Sequence, residues 1–275
     1  MLQDWTGVST FDPKEAETFS DDPLFVRAAA RAVAVLSAFE HAYKPLSLNE
    51  ISALSGVDRS AAQRMVHTLQ ALDLITRDDE DRGYLPGKRI LTMAYSYLRL
   101  NPVAQKATPV LLELRRRTRE RVDMSFWDDT RLIYALRMPS KHEIFTATLI
   151  GNAVPVYCTA GGLAVLSCLP DAEIADIFQR SPRMSYTTET FTTLAEVMEA
   201  VEAARTRGHS IVSGQLLRHE LAMGVPVRDG QGRPLGAIHL AGSLEEHSVE
   251  EFSAKFGSLL EQAGRTVSGF RGGGQ

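Results

Sequence analysis

Residues 59–67 place Arg59, Ser60, Gln63, Arg64 and His67 at helical spacing, with no acid after Asp58. Arginine neutralises phosphates and can read guanine through paired hydrogen bonds, and a glutamine amide can read adenine, so this face suits the major groove of DNA. Two arginines also occur on ordinary solvated helices, and Arg64 is equally able to brace a neighbouring helix by an ion pair. A second group lies far downstream. Thr159-Ala160-Gly161-Gly162 precedes a helical run, where small residues let backbone amides approach an anion or a carbonyl, or simply make a tight turn. His239, among small and apolar neighbours, is either a satisfied core histidine or a donor to a carboxylate or carbonyl oxygen. Phe126, Trp127, Tyr134 and Tyr157 either wall an apolar pocket or fill a core.

Catalytic patterns are weak by comparison. There is no Gly-x-Ser-x-Gly elbow, no phosphate-binding Gly-Lys loop and no paired-histidine metal motif. Cys158 with His239 or His219 is the best nucleophile–base candidate, and nothing in the spacing brings them together. Cys158 and Cys168, the only cysteines, have no partner at zinc-ligand spacing, so no disulfide, metal or cofactor is expected, and no enzyme.

The elements that must carry these residues follow from periodicity. Phe25, Ala28, Ala29, Ala32, Val33, Val35, Leu36 and Phe39 mark an amphipathic helix. Ser47 and Glu50 have capping-box spacing for a short second helix ending near Gly56. Asp58 or Ser60 can cap a third over 61–72, with Met65, Val66, Leu69 and Leu72 inward. Short strand signals at 74–77 and 84–85 flank the polar turn 78–83, giving a wing that carries Arg82 and Tyr84. Three helices and a hairpin make a winged helix-turn-helix. A helical stretch over 88–100 reads as a linker, interrupted by Pro102. A helix over 109–121 is expected to turn Leu111, Leu112 and Leu114 inward and Arg115, Arg116, Arg117, Arg119 and Arg121 outward. Hairpins at 124–136 and 223–240 and helices at 160–169, 194–207 and 248–267 then describe an antiparallel sheet with segregated helices.

With 275 residues, 44% hydrophobic and 23% charged, the chain has two domains' worth of globular sequence. A net charge of −4 argues against a protein that coats nucleic acid, but leaves a local basic surface open. The acidic start lacks the basic and apolar pattern of a signal peptide, so a cytoplasmic protein without a membrane helix is expected.

The run Ser47-Leu48-Asn49-Glu50-Ile51 with Gly56-Val57-Asp58-Arg59-Ser60-Ala61-Ala62-Gln63-Arg64-Met65-Val66-His67-Thr68-Leu69 resembles the helix-turn-helix of the IclR family of bacterial transcription regulators. Pro155-Val156-Tyr157-Cys158-Thr159-Ala160-Gly161-Gly162, Gly224-Val225-Pro226-Val227-Arg228-Asp229 and Ala237-Ile238-His239-Leu240-Ala241-Gly242 are similar to segments of that family's effector domain. The resemblance implies a DNA-binding domain, a linker helix, a GAF-like ligand-binding domain, and a dimer or dimer of dimers on operator DNA. Three features depart from the family pattern. Tyr84-Leu85-Pro86-Gly87 replaces Tyr-x-Leu-Gly, the wing 78–82 is acidic, and the pocket positions that are often an acid, a Cys and two Ser are here Val212 or Ser213, Ala222, His239 and Ala241.

The expected fold is therefore α+β in two domains: an acidic mobile tail (1–23), a winged helix-turn-helix (24–87), a linker helix (88–107) and a GAF-like α/β effector domain with an antiparallel sheet (108–270). The expected function is a ligand-responsive regulator. It would repress a catabolic operon until a small carboxylate, lactone, semialdehyde or aromatic acid releases it. An activator, or a constitutive DNA-binding protein whose second domain only oligomerises, are the alternatives. Arg59, Ser60, Gln63, Arg64, His67, Arg82 and Tyr84 are the candidate DNA contacts. Trp127, Thr146, Thr159, Ala160, Gly161, Ser213, Ala222, His239 and Ala241 are the candidate ligand contacts.

Overall fold

The computed structural model describes residues 22–40, 42–140 and 150–269. These divide into two compact units, with the boundary between Tyr97 and Leu98. The expected tail falls almost entirely outside the described residues.

The first unit contains α1 (Arg27–Ser37), α2 (Leu48–Ser55), α3 (Arg59–Ala71), the antiparallel pair β1 (Ile75–Arg77) and β2 (Tyr84–Pro86), and most of α4 (Arg89–Leu100). Local chemistry sets the ends. Ser47 and Glu50 form a reciprocal capping box on α2, which stops at Gly56 with φ of 65°. Asp58, not Ser60, caps α3 by accepting from the Ala61 amide at 3.0 Å. Val35, Phe39, Ile51, Ala62, Val66, Leu69 and Ile75 form the buried core between the helices and the hairpin. Leu46 adds a third short rung through two backbone bonds to Tyr84. On α1 the apolar stripe is narrower than expected: Ala34 and Val35 are buried, whereas Ala28, Ala29 and Val33 are exposed.

The second unit follows as α5 (Pro102–Thr118), β3 (Arg121–Asp128), β4 (Arg131–Met138), β5 (Ala153–Pro155), α6 (Ala160–Leu166), α7 (Asp171–Arg180), α8 (Leu194–Arg207), β6 (Ser210–Ser213), β7 (Glu220–Arg228), β8 (Pro234–Ser243) and α9 (Val249–Val267). Its sheet has the order β5-β4-β3-β8-β7-β6, and every neighbouring pair is antiparallel. Strand alternation sorts the side chains between two layers. Val122, Met124, Leu221, Met223, Val225, Ile238 and Leu240 pack beneath α5 and α9. The opposite face of the sheet meets α6, with the α7 and α8 residues Ile174, Ile177, Val197 and Val201 packed behind it.

Three expectations change here. Pro109 does not start a helix; it sits inside α5, which begins at Asn101 as N-cap with Pro102 in the first turn. The missing amide of Pro109 is outweighed by a continuous buried stripe of Val103, Ala104, Ala107, Leu111 and Leu114. Leu112, one position off that stripe, is exposed. Arg121 belongs to β3 and is largely buried, so it is not part of an outward helical arginine run. Among the described residues, no helix is long and apolar enough to cross a membrane.

Candidate nucleic-acid interface and effector cavity

The inward faces of α3 are taken by Ala61, Ala62, Val66 and Leu69, which leaves Arg59, Ser60, Gln63, Arg64 and His67 exposed together on the opposite face. Arg59 is steadied by Asn49 on α2, through Nε to Oδ1 at 2.9 Å. Among the described residues neither Arg59, Arg64 nor His67 has an acidic partner, so the bracing ion pair considered for Arg64 is not formed. The helix presents two uncompensated guanidinium groups, an amide and an imidazole side by side.

The wing is electrostatically different. Arg82 donates to Asp78 at 2.8 Å and lies 3.2 Å from Glu80. Arg77 is held by Asp81 and by the Tyr84 hydroxyl, its guanidinium 5.1 Å from the Tyr84 ring centre. Asp78 and Arg82 hold each other charged, the carboxyl lowered and the guanidinium raised from their ordinary values by their mutual hydrogen bond. Both wing arginines are thus already spent on wing carboxylates, and Tyr84 is partly covered.

In the second unit a small cavity of about 30 Å³ opens between the sheet and the start of α6, lined by Arg121, Asp123, Thr159, Ala222, His239 and Ala241 among others. Ala160 lines it too, as do Tyr134, Cys158 and Val212. The β3–β8 register sets Asp123 opposite His239 and Arg121 opposite Ala241, and β7 sets Ala222 opposite Ala241. His239 Nε2 lies 2.7 Å from Ser125 Oγ. Burial pushes the His239 imidazole down to about 4, although the Asp123 carboxylate opposes this, so the ring is neutral near pH 7. Burial pushes the Cys158 thiol well up, which leaves it a poor nucleophile.

A charge cluster that sequence reasoning missed borders the same cavity. Asp123, 1% exposed, takes Arg121 Nε at 3.0 Å and Arg137 Nε at 2.7 Å. Arg121 also donates to Glu220 at 2.5 Å. Burial alone would lower the Arg121 guanidinium, but Glu220 and Asp123 raise it well above its ordinary value. The only sequence signal was period-two alternation: Arg121, Asp123 and Ser125 share the strand face opposite Val122 and Met124.

Thr159 spends its hydroxyl on the Pro155 carbonyl and the Gly162 amide, and so acts as the cap of α6. Gly161 lies against the His239 ring, where a Cβ would fall 2.2 Å from Cε1. The small residues here serve close packing of α6 on the sheet. Ser213 alternates away from Val212, which faces the cavity opposite Ala222. Trp127 sits beyond the cavity lining, its indole donating to the Asp129 carbonyl with Arg233 over its ring. Thr146 lies outside the described residues.

Comparison with known proteins agrees with both halves. The model of the bacterial transcriptional regulator IclR C-terminal domain matches residues 95–269, and that of the IclR helix-turn-helix domain matches residues 28–79. The Pca regulon regulatory protein of Pseudomonas putida is 26% identical over 255 residues, covering 92% of this chain and 87% of its own. A crystal structure of an IclR transcriptional regulator from Alicyclobacillus acidocaldarius superposes with a TM-score of 0.77 at 23% identity, covering 89% of this chain and 98% of that one. An IclR homologue from Microbacterium hydrocarbonoxydans, complexed with 4-hydroxybenzoate, superposes with a TM-score of 0.69 at 18% identity, covering 88% and 97%.

Proposed function

The chain belongs to the IclR family of DNA-binding transcriptional regulators, and from that premise we propose that it is a repressor of a catabolic operon, released from its operator by a small metabolite. The observation that carries the reading is the exposed, acid-free face of Arg59, Ser60, Gln63, Arg64 and His67 on a helix whose other face is core. Recognition is assigned to α3, with Arg59 and Gln63 reading base edges and Arg64 and His67 meeting phosphates. The wing stands back from the phosphates, because its two arginines are paired with wing carboxylates.

The effector site is assigned to the cavity under α6. At about 30 Å³ it is far below the roughly 300 Å³ or more of an ordinary ligand pocket, so the ligand-bound state requires a wider arrangement of its walls. That supplies a two-state element. A metabolite preferring the wide state shifts the population by its differential affinity. His239 offers a neutral imidazole, and Arg121 offers a guanidinium to an oxygen-bearing ligand able to compete with Glu220. The effector classes proposed are small carboxylates, lactones, semialdehydes and aromatic acids.

The helix α4 is assigned as the linker and as a pairing surface for a second copy. None of its residues is buried, and Leu91, Met93, Tyr95, Tyr97 and Leu100 are all exposed. The test of the function is anisotropy of labelled DNA carrying the palindrome upstream of the neighbouring operon, at fixed salt, with a panel of such metabolites. Sequence-specific binding released by one compound supports the reading. Binding that no compound alters favours a constitutive DNA-binding protein, and absence of specific binding refutes the regulator.

A further inference from the structure

Outside the effector cavity, two carboxylates and an imidazole converge where α5 passes into β3. The Glu120 side chain is 7% exposed, and its sole side-chain polar partner among the described residues is His247, with Nε2 3.4 Å from Oε1. His247 immediately precedes Ser248, the cap of α9, and its ring is fixed by Phe252 and Phe256 at 5.3 and 5.9 Å between centres. Glu246, on the same turn, supplies a third group: one ligand atom from each of the three residues lies within 4.8 Å of the others. Gly242 keeps the neighbouring space open, since a Cβ there would fall 3.5 Å from Glu120 Oε2 and against the Phe252 ring.

We propose that Glu120, Glu246 and His247 form a binding site for a divalent transition-metal ion, with zinc the best fit. A carboxylate this deeply buried calls for a cation within bonding reach. The 3.4 Å contact is longer than the roughly 2.7–2.9 Å of a charge-assisted hydrogen bond. For this one pair it matches the edge of a tetrahedron with metal–ligand bonds of about 2.1 Å, which is about 3.4 Å, and Glu246, whose ligand atom lies within 4.8 Å of the other two, closes onto the ion from its exposed side. An imidazole beside two carboxylates selects a borderline ion over magnesium or calcium, which prefer all-oxygen shells. Three protein ligands leave the fourth position to water. The ligands come from residues 127 positions apart, which is why no sequence spacing announced them and why no metal was expected. Bound metal would tie the entry of β3 to the start of α9 and stabilise the folded unit by mass action.

The experiment is calorimetric titration of the full-length, tag-free, chelator-stripped protein with zinc chloride, magnesium chloride as the comparator, alongside thermal melts. One zinc ion per chain, a raised melting temperature and no response to magnesium are expected. His247→Ala should abolish binding. Glu246→Ala, at an exposed position, should weaken it about tenfold or more, with the metal-free melting temperature of the variant measured alongside as the check on its fold. Absence of saturable zinc binding, or unchanged affinity in Glu246→Ala, overturns the site, whatever the protein does with DNA.

Discussion

His239 and Ser125 meet on the buried face of the sheet, with Nε2 2.7 Å from Oγ. The pairing holds a neutral imidazole inside a strand whose neighbours are small, and it gives the protein a pH signature. Burial lowers the folded-state value from 6.5 to about 4. Between those limits the unfolded chain takes up a proton that the folded chain refuses, so stability present above pH 6.5 is lost as pH falls toward 4. The loss from this residue amounts to about 3 kcal/mol. His239→Asn should flatten the profile by about 2 kcal/mol of that in urea denaturation between about pH 7 and about pH 4.5. The same slope in both proteins would show that His239 is not its source.

Asp123 is the keystone of the cavity's charge cluster, since it serves Arg121 and Arg137 at once. Asp123→Asn leaves two largely buried guanidinium groups short of a counter-charge and should cost about 3–5 kcal/mol. The exposed pair Lys44–Glu50 offers the contrast, and Lys44→Ala should change stability by less than about 1 kcal/mol. Denaturant midpoints decide it, and a mild Asp123→Asn would mean the cluster relaxes around the loss.

On DNA, Arg59→Ala and Gln63→Ala should each relax preference at one operator base, at a cost of about 1–3 kcal/mol. Arg82→Ala should leave affinity and its salt dependence nearly unchanged, because Asp78 and Glu80 already neutralise it. Competition among single-base operator variants separates these outcomes. Uniform weakening on every sequence would make Arg59 and Gln63 phosphate contacts instead.

Leu91 is 73% exposed on a helix that has no fully buried residue. Leu91→Glu should therefore shift the protein to a slower-sedimenting species while leaving its circular dichroism intact. A variant that sediments like the wild type would remove α4 from the pairing surface.

How much of this was legible in the sequence depended on whether the deciding interaction was local. Helix α8 matches its expected span, 194–207, because Thr193 and Glu196 close a capping box at one end and Gly208 turns left-handed at the other, all within one short stretch. The exposed face of α3 was equally readable, since helical spacing alone sets it. Arg121 was not. A run of arginines along the chain concealed the switch from helix to strand at Arg119, whose φ of 63° ends α5, and only the sheet register reveals that Arg121 meets Asp123 and Glu220. Ser213 and Val212 could not be told apart for a similar reason, because a one-residue choice of register decides which of them faces Ala222. Gly161 looked like an anion cradle until the His239 ring was seen resting on it.

The central claim, that one chain couples a metabolite in the α6 cavity to DNA on α3, is tested most directly by reciprocity. Effector affinity should be measured calorimetrically for the free protein and for its operator complex, and operator affinity with and without saturating effector. The account predicts that each ligand weakens the other by the same factor, typically between about 5-fold and 150-fold. Effector binding that is indifferent to bound operator, or operator binding that no effector changes, would contradict it.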